Sequence, residues 1–293
     1  MISPELEEPR PATGPGFFDS VTIDFCDAAG DLFGFARIMR LPEAARVEGR
    51  VLLFRGPDLA ARVEVSGDDP GSWDRAGVDG LAATIEAPLE RWTLSLDSEH
   101  ARLRLEAVAV SPPLDLSGNG GEELARSAGV SSYEQVCELV GSVELEGEAE
   151  PLSVRCIGER THAWGAHDWA SVECVRRLYA AGTERAVSVT AARPAGSPGH
   201  GAEVRLAHLL EPSAEPRAVG DVHVSTVYDS AGLPRSADLE LRLEEEEFPL
   251  RVAGESACGL RLDDAGRKTT LSFFRWSIEG APALGRYETV TAA

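Results

Sequence analysis

A period of two runs through nearly the whole chain, and it limits the fold more than any other feature. Gly34–Leu41, Gly49–Arg55, Trp92–Leu96 and Arg102–Val110 alternate polar and apolar residues, or run apolar between turn residues. Pro112-Pro113 ends that series, Gly120–Ser127 has the pattern of a short helix, and Val130–Leu145 returns to strand. Leu152–Ile157, Val172–Ala180, Ala186–Ala192, Glu203–Leu210, Asp221–Tyr228, Asp238–Leu243, Leu250–Ala253 and Thr269–Ile278 continue in the same style. Successive side chains of a strand face opposite ways, so one face can cover a core while the other meets solvent. Many short strands at this spacing predict an all-β chain built as antiparallel sandwiches or up-and-down barrels. The 293 residues suit two β-domains, expected over 17–150 and 151–293 behind a flexible, Pro- and Glu-rich tail over 1–16.

Charge decides which partners to set aside. The chain has 28 basic and 49 acidic residues, a net of −21, and residues 1–150 hold 29 of the acidic side chains against 12 basic ones. A field of that sign repels phosphate backbones and anionic lipid, so no nucleic acid and no membrane surface is expected as a partner. No apolar run approaches the ~20 residues that span a bilayer. The N-terminus lacks a basic segment followed by an apolar one, so no signal peptide is expected. The five cysteines are scattered, odd in number and without a C-x-x-C, which fits a reducing cytoplasm better than a disulfide framework or zinc ribbon. Lys268, the only lysine, falls in an expected hairpin turn, which suits neither Schiff-base nor pyridoxal-phosphate chemistry. The Walker pattern is absent, and neither cofactor nor metal is expected. The oligomeric state is not legible.

Against this background, Gly158–Trp169 (G-E-R-T-H-A-W-G-A-H-D-W) is anomalous. It gathers two of the six histidines, two of the five tryptophans, an arginine and an aspartate. Imidazole beside carboxylate is the equipment of acid–base catalysis, and indole faces can attract a developing carbocation. In an extended segment Arg160, His162 and Trp164 share one face, while Gly165 is placed to bend the chain before His167, Asp168 and Trp169. Two explanations stand: a ligand pocket, or a buried polar corner that locks sheets together. A metal reading is weaker, because the H-x4-H-D spacing matches no ligand pattern.

The same run resembles the G-x-R-x-H-x-W-G-x-x-D-W signature of the carotenoid 1,2-hydratase (hydroxyneurosporene synthase) and AttH-like group. Ser132–Val136 (S-Y-E-Q-V) and Gly141–Leu145 (G-S-V-E-L) resemble the strand before the signature, and Trp92–Val110 and Gly34–Arg40 also agree. The resemblance implies two lipocalin-like β-domains with an apolar cavity. It also implies cofactor-independent chemistry on polyene, terpenoid or polyketide-like substrates. His162 and Trp164 stand where the hydratase branch keeps its His-x-Trp. That branch also uses a Tyr-x-Asp pair on the following strand, whereas Ala186–Arg193 has neither residue. A proton donor would then come from Asp168, Glu134, Glu173 or Tyr228, and cyclisation or isomerisation fits as well as hydration.

These residues lead to a concrete expectation. His162 is the general acid/base, and Asp168 orients it or pairs with Arg160. Trp164, Arg160, Glu134, Tyr133, Trp169, Tyr228 and Trp276 are the candidate substrate-binding residues. His100 and His200 are expected on exposed loops. The ligand is a small lipophilic molecule. Two readings remain open: an enzyme that cyclises, isomerises or hydrates it, and a lipocalin-like carrier that only holds it.

Overall fold

The strands come in chain order as two antiparallel sets. The first set is β1 (Phe18–Asp27), β2 (Leu32–Leu41), β3 (Arg46–Arg55), β4 (Asp58–Asp68), β5 (Arg75–Val78), β6 (Leu81–Ala87), β7 (Arg91–Asp97), β8 (Ala101–Ala109), β9 (Leu114–Asp115), β10 (Val130–Leu145) and β11 (Leu152–Gly165). The second is β12 (Val172–Ala181), β13 (Ala186–Pro194), β14 (Val204–Leu210), β15 (Arg217–Ala218), β16 (Asp221–Tyr228), β17 (Pro234–Arg242), β18 (Leu250–Asp264), β19 (Arg267–Ile278) and β20 (Ala281–Ala292). This computed structural model describes residues 3–27, 29, 31–72, 75–118, 121–244, 246–264 and 267–292. Gly120, part of the expected helix, and the turn residues 265 and 266 beside Lys268 lie outside the described residues. The chain is nearly all-β, and its two curled sheets form a barrel and a half-barrel, as the alternation predicted.

In the first sheet the order is β4-β3-β2-β1-β11-β10-β8-β7-β6-β5, with β9 added against β10. Hairpins make most of these neighbours, and the pairing of β1 with β11 brings the first and last strands together. The second sheet repeats the scheme as β15-β14-β13-β12-β20-β19-β18-β17-β16, again joining its first strand to its last. Tight turns with positive φ serve the hairpins, as at Asp79-Gly80 (φ 43° and 86°) and Glu279-Gly280 (φ 51° and 85°).

Side-chain parity defines the two interiors. In the first unit Val21, Ile23 and Phe25 of β1, Leu103 and Leu105 of β8, Leu139 and Val143 of β10, and Val154 of β11 meet in one apolar core. In the second unit Leu178 and Ala180 of β12, Val187 and Val189 of β13, Leu239 and Leu241 of β17, and Phe274 and Trp276 of β19 do the same. The short helix α1 (Glu122–Ala128) ends at Gly129, whose φ of 70° suits the left-handed cap. Its Leu124 and Ala128 pack on Val172, Val175 and Ala192, with Trp169 and Leu206 beside them.

Two expectations need correction. The chain divides into Met1–Asp115 with Val130–Ala166, and Leu116–Gly129 with His167–Ala293, rather than at 150/151. The reason is that β11 closes the first sheet between β1 and β10, while α1 packs on strands of the second. Nor is 1–16 simply a flexible tail. Pro4–Glu7 forms a short 3-10 turn, Glu7 is buried, and Arg10 donates its backbone N–H to Asp19 Oδ2 at 2.9 Å. Residues 1 and 2 lie outside the described residues.

Gly34 on β2 faces Phe25 across the ladder, and a Cβ there would come within 2.2 Å of the Phe25 ring. Gly34→Ala is expected to destabilise the protein by about 1–3 kcal/mol through overpacking, read as a lower urea midpoint.

Candidate functional site

One end of the first barrel is polar inside. Leading from the apolar Val154 on β11, Arg160, His162 and Trp164 follow on the same face, as parity predicted. Opposite them on β10, Tyr133 faces His162 and Gln135 faces Arg160; on β1, Asp19 faces Trp164. The structure therefore unites Tyr133, Arg160, His162 and Trp164.

Arg160 is 1% exposed, and a guanidinium cannot shed its charge there, so it needs partners. Its Nη1 donates to the Tyr133 hydroxyl at 2.6 Å, and its Nη2 donates to Glu7 Oε2. Glu7 Oε1 also accepts from Trp92 Nε1 at 3.1 Å and from the Leu89 N–H at 3.0 Å. The Trp92 ring covers the guanidinium at 4.3 Å. Burial pushes the Tyr133 phenol well above its ordinary range, although the neighbouring Arg160 pulls the other way, so the hydroxyl keeps its proton.

His162 is 0% exposed, and its Nε2 lies 2.7 Å from Asp19 Oδ1. Tyr133 and Trp164 meet the ring edge-on at centroid distances of 5.6 and 5.2 Å. Asp19 Oδ2 accepts from Arg40 Nη1 at 3.1 Å, and Arg40 grips Asp69 with two bonds of 2.8 and 2.9 Å. Arg10 lies over the Trp164 ring at 4.7 Å. Burial opposes ionisation of Asp69, but the bonds from Arg40 and from the Gly71 N–H outweigh it and hold the carboxyl below its usual range.

The remaining predicted residues lie elsewhere. Glu134 is buried on the opposite face of β10, beside Thr161 rather than His162. Gly165, with φ of 136°, bends the chain as expected, and the signature stretch splits there between the two units. Asp168 is a correction: it is exposed, accepts from the Ala170 N–H at 3.1 Å, and holds neither His162 nor Arg160. Hydrogen bonds from Ser171 and Ala170 hold its carboxyl below the ordinary range, as in a turn. Trp169 packs with His167 at 4.7 Å, within the α1 cluster. Tyr228 and Trp276 belong to the second unit, where Trp276 stacks on Phe274 at 4.7 Å and Tyr228 stands 3.3 Å from the Tyr287 hydroxyl. His100 is exposed as expected, whereas His200 is partly covered and bonds Glu203 at 2.6 Å. None of the five cysteines is in a disulfide.

Sequence reasoning missed Glu7, Asp19, Arg40 and Trp92. Asp19 had a signal: it shares parity with Val21, Ile23 and Phe25, a carboxylate on an apolar face. Glu7 had none, because its contact with Arg160 crosses 153 positions.

A family model matches residues 3–292. The chain belongs to the family described as Domain of unknown function (DUF7064). No curated protein sequence matches it. Solved structures do. An AttH-like protein from Nitrosomonas europaea shares 15% identity at TM-score 0.68, over 94% of this chain and 91% of the other. CghA in complex with Sch210972 shares 12% at 0.64, over 95% and 89%. Kievitone hydratase from Nectria haematococca shares 14% at 0.63, over 95% and 89%. At such identities the likeness establishes the fold, and these neighbours agree with the AttH and hydratase group that Gly158–Trp169 resembles.

Two outcomes follow from the buried charges. Arg160→Met leaves Glu7 buried and unpaired, so a loss of about 3–5 kcal/mol is expected, most of it recovered in Glu7→Gln/Arg160→Met, by thermal unfolding. Because the folded pKa of Asp69 is lowered, its stabilising contribution is complete above its ordinary value near 4 and vanishes as pH falls through the folded value. Asp69→Asn should therefore weaken the acid dependence of the urea midpoint below about pH 4.

Proposed function

We propose that this chain is a cofactor-independent enzyme of hydratase or cyclase kind, acting on a small, apolar, unsaturated molecule. The observation that carries the reading is the Asp19–His162 pair inside the first barrel, with the aromatic walls Tyr133 and Trp164. Kievitone hydratase, which shares the fold, lends support by the activity that it is named for.

The chemistry follows from the partners. A carboxylate at Nε2 favours the tautomer with its proton there, which puts the ring's lone pair on Nδ1. Asp19 thus takes the part expected of Asp168. A histidine held this way can pass a proton to or from a polyene, terpenoid or polyketide-like substrate. Trp164 offers an indole face to positive charge that develops on carbon. Folding the substrate into a reactive shape would supply much of the acceleration in a cyclisation. Substrate reaches the ring only when its cover moves. Trp164 and the N-terminal segment carrying Glu7 and Arg10 form part of that cover.

One observation favours a second reading. His162 and Arg160 are almost wholly enclosed, which suits a carrier whose polar end is structural. Turnover separates the two. Incubated with a panel of polyenes and analysed by mass spectrometry, the wild type is expected to convert a member. His162→Gln and Asp19→Asn should cut kcat by about 100-fold or more while the circular dichroism is kept. Unchanged turnover in both folded variants removes the dyad from the chemistry.

A further inference from the structure

Residues 3–10 lie against the polar end of the first barrel without joining its sheet. Pro4–Glu7 forms a 3-10 turn, and the first strand begins only at Phe18. Among residues 3–16, Glu7 alone is buried. A carboxylate gains nothing from burial itself, so its partners must account for its place. Its Oε2 accepts from Arg160 Nη2, and its Oε1 accepts from Trp92 Nε1 at 3.1 Å and from the Leu89 N–H at 3.0 Å. Leu89 has φ of 62°, a left-handed conformation that leucine rarely takes, and in it the N–H meets Glu7. Three residues past Glu7, Arg10 donates its backbone N–H to Asp19 Oδ2 at 2.9 Å and lays its guanidinium over Trp164 at 4.7 Å. Asp19 and Trp164 are two of the groups that hold the His162 ring.

Two properties make this segment a movable cover rather than a fixed wall. The first is the kind of contact that holds it. Glu7 and Arg160 both regain water when they part, so desolvation cancels much of their attraction in the closed form. Closed and open forms held by such a pair lie closer in free energy than they would for an apolar plug, and segments of low local stability open while the rest stays folded. The second is the attachment. Residues 11–13, 15 and 16 are exposed. A Cβ added at Gly14 or Gly16 would meet nothing within 4 Å, and Gly16 has φ of 74°. The six residues 11–16 span about 20 Å when extended, far more than is needed to lift one side chain out of the barrel.

The second unit supplies the contrast. Arg176 is 1% exposed and is held in the same way, its Nη1 donating to the Tyr287 hydroxyl at 3.0 Å and its Nη2 to Glu203. Glu203, however, directly precedes β14, so its carboxylate is carried by the sheet itself. Matching a buried arginine does not require a strap, and only the first unit uses one.

We propose that residues 3–10 are a gate over the Asp19–His162 pair, latched by Glu7 on Arg160 and swinging about residues 11–16. Opening withdraws Glu7 and Arg10 together, uncovers Trp164 and gives the His162 ring a way to solvent. That the gate admits a ligand rests on the enzyme or carrier reading of the dyad; that it opens does not.

Modification of histidines by diethyl pyrocarbonate in the full-length protein, followed by peptide mass spectrometry, tests the gate. His162 and His208 are 0% and 1% exposed, so static burial protects them alike, and His208 on β14 reports any general loosening. Arg10→Ala lightens the cover without touching the barrel wall and is expected to raise the His162 rate several-fold. Glu7→Gln/Arg160→Met releases the latch without stranding a buried charge and should raise it at least about tenfold. The His208 rate should match the wild type in both. Arg10→Ala decides alone if the double variant does not fold. An unchanged His162 rate in a folded variant, or a rise that His208 shares, would overturn the gate. Because the readout is labelling, a lack of turnover counts against the enzyme reading and leaves this result standing.

Discussion

The burial of a permanent positive charge organises the first unit. Arg160 sits inside the barrel, where its desolvation is costly unless a carboxylate and hydrogen-bond acceptors meet it. Tyr133 and Glu7 take its two Nη groups and the Trp92 face covers it, and these partners come from β10, the N-terminal segment and β7. Glu7 is itself satisfied twice more, by Trp92 and the Leu89 backbone. The strap at the N-terminus is therefore held by charge inside the barrel rather than by an apolar patch. Without it Arg160 would lose its carboxylate, and the polar end of the barrel would lose its balance.

The same polar end explains why His162 is held as it is. Its ring is locked by Asp19 and two aromatic edges, and Asp19 is in turn held by Arg40, which is fixed by Asp69. Such a chain restricts both tautomer and ring orientation, which acid–base chemistry needs, and it also stiffens a corner of the barrel. Catalysis and architecture make the same demand on these side chains. That is why the enclosure of the ring supports a carrier while its partner supports an enzyme.

Each unit divides its interior into an apolar part and a polar end built on an arginine, a tyrosine and a glutamate. What differs is how the end is finished. In the first the glutamate comes from a remote segment that closes over the arginine. In the second it comes from the turn before β14, and the tyrosine's hydroxyl continues outward through β16.

How much was legible follows from the range of each interaction. Alternation along single strands sufficed for the all-β class, and it set Arg160, His162 and Trp164 on one face, because the strand period is a local property of the backbone. Tyr133 was also found, through its place before the signature stretch. The domain boundary was misplaced because composition does not show that β11 returns to close the first sheet. Asp168 looked like the partner of His162 because it is near in sequence, but Gly165 turns the chain and carries it into the second unit. The true partner, Asp19, is 143 positions away. Local chemistry and strand period were the sequence's own to determine. Which carboxylate meets which cation was left to tertiary structure, since buried charges must be matched across strands that only folding brings together.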